Sequence, residues 1–128
     1  LFTTMFGEMA ISKNGFAETL PENWSKHGIN VESDKCSVIS ILFKADEEEA
    51  AFVGHTGILI DCRNIESVDS NYLFVEKIAF GDPFKIILVK DESELVKMLS
   101  ERSDYTTEEG DPAPVVYKNG EIIGELKR

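Results

Sequence analysis

Residues 84–111 read FKIILVKDESELVKMLSERSDYTTEEGD, and the fold turns on how this stretch is read. Ile86, Ile87, Leu88 and Val89 form the most apolar run of the chain, which predicts a strand buried on both faces. Asp91 and Glu94 then have the spacing of a capping box. Leu95, Met98, Leu99 and Arg102 follow at i, i+3, i+4 and i+7, the spacing of a helix with one apolar stripe lying on a sheet. Past Leu99 the chain becomes acidic around a single tyrosine, with Glu101, Asp104, Tyr105, Glu108, Glu109 and Asp111 in close succession.

Working outward, Tyr72–Phe80 and Phe84–Lys90 predict a hairpin across Gly81-Asp82-Pro83, residue types that suit a turn. Gly57–Cys62 reads as a strand, followed by an irregular polar stretch from Arg63 to Asn71. Cys36–Lys44 is a further strand, with Ile39, Ile41 and Phe43 on one face and Val38 and Leu42 on the other. Between these two, Asp46 is placed to cap a short helix. Its first turn would be Glu47, Glu48 and Glu49, its buried side Ala50–Val53 and its end Gly54.

At the N-terminal end, residues 1–12 are apolar on both alternating sets and predict an internal strand. Lys13-Asn14-Gly15 is a hairpin signal with Phe16–Glu18 as the return strand. Thr19-Leu20-Pro21-Glu22 reads as a capping box opening a short helix that Gly28 ends. Ile29–Ser33 reads as a brief strand. The C-terminal end holds a second Asn-Gly hairpin, Val115–Tyr117 and Ile122–Ile123 across Lys118-Asn119-Gly120. Hairpins join most strands, so residues 1–128 are expected to form a single α+β domain. It should have a mainly antiparallel sheet, with two or three short helices packed on it.

Composition narrows the function. The chain is 42% apolar, enough for a globular core, and no run approaches the roughly 18 apolar residues of a membrane span. It opens on Leu1, so a few residues are expected to precede it, and the residues given carry no basic, apolar, small-residue leader pattern. A cytoplasmic location is expected. Cys36 and Cys62 lie in apolar runs and read as reduced core thiols. The net charge of −11 is concentrated in residues 31–60 and 91–128. Such a field disfavours bare nucleic acid and anionic membrane and favours a basic protein partner.

Catalytic and cofactor signatures are weak. The nine glycines are scattered singly, so no phosphate-cradling loop forms. His55 follows Asp46–Glu49 without the spacing of a metal site, and no cofactor or metal is expected. A thiol nucleophile built from Cys36 or Cys62 with His27 or His55 would need an exposed electropositive setting that this acidic chain does not offer. The segment Pro114-Val115-Val116-Tyr117-Lys118-Asn119-Gly120-Glu121 is similar to the proline–strand–turn near the end of thioredoxin-like domains. The Cys-x-x-Cys of that family is missing, and no redox role follows.

In its small size, strong acidity, mixed fold and lack of a catalytic motif, the chain resembles bacterial immunity proteins and antitoxins. That resemblance implies a non-enzymatic binding protein, a monomer or small oligomer, that neutralises a basic nuclease toxin by covering its nucleic-acid-binding surface. Glu101, Asp104, Tyr105, Glu108, Glu109 and Asp111 form the first candidate contact patch, a tyrosine ringed by steering charge. Asp46, Glu47, Glu48 and Glu49 form the second, and the polar loop with Asp61, Glu66, Asp69 and Tyr72 a weaker third. Two alternatives stand beside it. One is a small hydrolase or metal-dependent enzyme using His27 or His55 with carboxylates. The other is a phage-type structural module or nucleic-acid mimic.

Overall fold

A computed structural model describes residues 2–46, 49–105 and 107–127. The chain forms α1 (Phe2–Phe6), β1 (Met9–Ala10), α2 (Thr19–Lys26), β2 (Cys36–Lys44), β3 (Ala50–Asp61), β4 (Tyr72–Glu76), β5 (Lys85–Val89), α3 (Glu92–Ser100), β6 (Val115–Lys118) and β7 (Glu121–Glu125). The strands make one antiparallel sheet in the order β5-β4-β3-β2-β6-β7, with β1 pairing the start of β3. This is an α+β fold.

The sheet centre is β2, whose alternation buries residues on both faces. Ile39 and Ile41 join Leu59, Phe74 and Val116 beneath Leu95 and Leu99 of α3. On the other face, Leu42 joins Val115, Tyr117, Leu20 and Trp24 under the N-terminal segment. Asp91 caps α3 by accepting from the Glu94 N–H at 2.8 Å. The Glu94 carboxylate returns a bond to the Lys90 N–H, one residue before the expected partner, at 2.7 Å. At the C-terminal hairpin Asn119 adopts a positive φ of 51°, and its side chain accepts from the Val38 N–H at 2.8 Å.

Several expectations are overturned. The run at 84–90 is not buried on both faces: β5 is the outermost strand, and Phe84, Ile86 and Leu88 are exposed. The helix predicted from Asp46 is replaced by the start of β3. The Ala45 N–H bonds to the Ala50 carbonyl at 2.9 Å and closes a β2–β3 connection there, and ladder bonds outweigh the local capping preference. Asp46 and Glu49 lie exposed in that connection, whereas Glu47 and Glu48 fall outside the described residues.

Residues 2–6 are helical rather than extended, held by Asn23 and Trp24 side chains donating to the Thr4 and Met5 carbonyls. Residues 16–18 form no return strand, because Glu22 of α2 accepts from Ser12 and Asn14 and ties the Asn-Gly turn to the helix. Thr19 is the first helical residue instead of the cap, and its hydroxyl bridges Ser12 and Gly15. Residues 29–33 are irregular. Cys36 is exposed and Cys62 buried, both as free thiols.

Candidate functional site

The site begins with an irregularity in β3. Ile41 pairs with His55, but the next residue, Leu42, pairs with Val53, so Gly54 is an extra residue in the ladder. Such a bulge reverses the side-chain phase. Val53 packs with the cluster under the N-terminal segment, while His55 points to the face that carries α3. A side chain at Gly54 would stand 2.6 Å from the Phe43 ring, so the close approach requires glycine.

On the neighbouring strand, Tyr72, Phe74 and Glu76 share one phase. Phe74 is core, and that phase also carries the Glu76 carboxylate into the interior, where its side chain is 0% exposed. A buried carboxylate must be paired to remain charged. His55 Nε2 lies 2.7 Å from Glu76 Oε1. Arg102 Nη1 donates to Oε1 at 2.7 Å, and Nη2 donates to Oε2. Burial pushes the Glu76 carboxyl up, but the bonds from Arg102 and His55 outweigh it and hold the group below its ordinary value. The same bond raises Arg102 further.

Tyr105 closes the group. Its hydroxyl accepts from Arg102 Nη1 at 3.3 Å. Its ring meets Phe43 edge-on at 5.6 Å and lies 5.8 Å from the His55 ring. Burial raises the phenol above its usual range, so it stays protonated and keeps a hydrogen to donate. A cavity of about 450 Å³ opens beside these groups, lined by Gly54, His55, Ile78, Arg102, Ser103 and Tyr105, with Glu101 and Asp104 at the same rim.

The sequence-derived residues are thus partly brought together. Glu101 ends α3, and Asp104 and Tyr105 sit in the 3-10 turn Ser103–Tyr105. All three border the one cavity. Glu108 and Glu109 are exposed in the loop beyond. Asp111 pairs with Lys44 at 3.5 Å, which sets this loop beside the β2–β3 connection that carries Asp46 and Glu49. Asp61 lies in a separate region, forked with Arg63, whose bonds bring its carboxyl down to about 2.

His27 is exposed at the end of α2 and bonds the Asn23 carbonyl. Cys36 pairs with Ile60, and Cys62 follows the far end of β3, so both thiols lie about five or more strand residues, roughly 17 Å, from His55. Among the described residues no group of three His, Cys, Asp or Glu side chains could hold a metal ion. Among the described residues no helix is long and apolar enough to cross a membrane.

Glu76 is the member of this cluster that no sequence motif singles out. Its signal was a carboxylate on the apolar phase of Tyr72-Leu73-Phe74-Val75-Glu76, in step with Phe74.

The fold and site define an α+β domain with a histidine–carboxylate–arginine cluster at the edge of a cavity. The chain belongs to the family described as Domain of unknown function (DUF4300), whose model matches residues 1–123. Neither curated proteins nor solved structures give a match.

Proposed function

We propose that the cavity beside His55 is a catalytic pocket for a hydrolytic reaction. The observation that carries this reading is the 2.7 Å bond from His55 Nε2 to the fully buried Glu76. With Glu76 ionised, Nε2 holds the proton and Nδ1 holds the lone pair, so the carboxylate sets both tautomer and ring orientation. Nδ1 then acts as the general base on a water molecule in the cavity. Tyr105 supplies a hydroxyl donor beside it, and Arg102 holds Glu76 ionised. A base oriented by a third group at the edge of a cavity is the arrangement that proton-transfer chemistry needs.

The test is a substrate panel of esters, amides, glycosides and phosphoesters. His55→Gln should lower turnover about 10²–10⁴-fold, and His27→Gln should leave it intact. Activity that survives His55→Gln, or no turnover of any class, rejects the assignment.

A second reading is favoured by the exposed acids at the same rim. Here Glu101, Asp104 and the loop through Asp111 receive a basic protein, and the chain is an immunity-type inhibitor of a nuclease toxin. Carboxylates would take the places of nucleic-acid phosphates, and charge would speed encounter. Asp104→Lys should weaken salt-sensitive binding and leave melting nearly unchanged. Capture of no basic partner at low salt removes this reading.

A further inference from the structure

We propose that the open edge of β5 pairs with β5 of a second copy of this chain, joining the two sheets into one across a two-fold axis at Ile87. Among the described residues the strand is the last in its sheet and has a paired neighbour only on the β4 side. It therefore presents a row of unpaired backbone groups, which natural sheets usually blunt with charge or cover.

The two edges of this sheet are treated differently. On β7, Glu121 and Glu125 are exposed and α3 packs alongside, with Val96 over Gly124. On β5, Lys85 is the only charged side chain, and Ile86 and Leu88 stand 65% and 55% exposed. The adjoining turn adds Phe84 at 71% and Phe80 at 99%. The two phenylalanines, at roughly 150–250 Å² each when fully exposed, offer about 250–400 Å² of apolar surface per copy. Ile86 and Leu88 add to this, giving a substantial part of the ~800 Å² per partner of a standard interface.

Self-pairing is chemically consistent. An antiparallel two-fold at Ile87 sets Ile86 against Leu88, Lys85 against Val89, and Phe84 against Lys90 of the other copy, so no like charges oppose one another. Residues 72–90 hold Lys77, Lys85 and Lys90 against Asp82 and the buried Glu76, a net positive segment in a chain of −11. Two acidic copies thus approach with least repulsion along this edge. Lys77 lies over the rings of Phe80 and Phe84, which keeps the apolar turn beside the strand.

Sedimentation velocity from low to several hundred micromolar chain tests the proposal. A dimer is expected, and Ile86→Lys with Leu88→Lys should weaken it about tenfold or more. Circular dichroism should be unchanged, because both side chains are exposed. Ile122→Lys on the β7 edge should leave the dimer intact. Amide exchange in the unaltered chain should slow at alternate positions of 85–89 as concentration rises. A monomer at every concentration overturns the proposal, as does a double variant that folds and dimerises normally. Exchange at 85–89 that ignores concentration overturns it too, as does a monomer that instead binds phosphatidylcholine vesicles through this face.

Discussion

His55 and Glu76 sit on adjacent strands and meet at 2.7 Å only because Gly54 is an extra residue in β3. A regular ladder would keep His55 in phase with Val53, on the face that packs under the N-terminal segment. The bulge moves it to the face of α3, where Glu76, Arg102 and Tyr105 converge.

Gly54→Ala therefore tests the site through its scaffold. The added methyl would stand 2.6 Å from Cδ2 of Phe43, and crowding of this kind costs about 1–3 kcal/mol. Chemical denaturation should show that loss. The imidazole resonance of His55 should shift as the bulge relaxes, whereas that of His27 should not.

Glu76→Gln should destabilise the chain by about 2–3 kcal/mol, since it leaves the Arg102 guanidinium without its buried counter-charge. The acid limb gives an independent readout. The Glu76 carboxyl is held below its ordinary value in the folded chain. Its contribution is then complete above the ordinary carboxylate value and is lost as pH falls through the lowered one. Stability curves of the parent and Glu76→Gln should converge in acid and separate toward neutral pH.

Asp91→Ala removes the cap of α3, where the carboxylate accepts from the Glu94 N–H. The expected loss is about 1 kcal/mol. Asp91→Asn should recover most of it, because the bond needs an acceptor and not a charge. Thermal melts of the two variants check this.

Gly120→Ala tests the C-terminal turn. Gly120 has φ +82°, and an added methyl would lie 2.7 Å from the Trp24 ring. Both strain and overpacking act here, so a loss of about 2–3 kcal/mol is expected, measured by denaturant midpoint.

Much of the architecture was legible in local chemistry. β2 was visible as an apolar alternation with its observed bounds, α3 as a capped stripe, and the turns at Asp82 and Asn119 by residue type. The N-terminal segment misled, because a run apolar on every position suits a strand or a helix equally. There the contacts of Trp24 and Asn23 decide. Asp46–Glu49 misled for a related reason: good helix-start chemistry was overridden by ladder bonds available only once β2 and β3 had met.

The chain by itself determined which residues want burial, where turns and caps fall, and where acidic charge gathers, because these follow from side-chain chemistry within a few positions. Only tertiary structure decided that residues 85–89 lie at an edge, and that His55, Glu76 and Arg102, far apart in sequence, share one cluster. Strand order and a one-residue bulge set those neighbours. Neither leaves a local mark beyond a glycine and a carboxylate out of place.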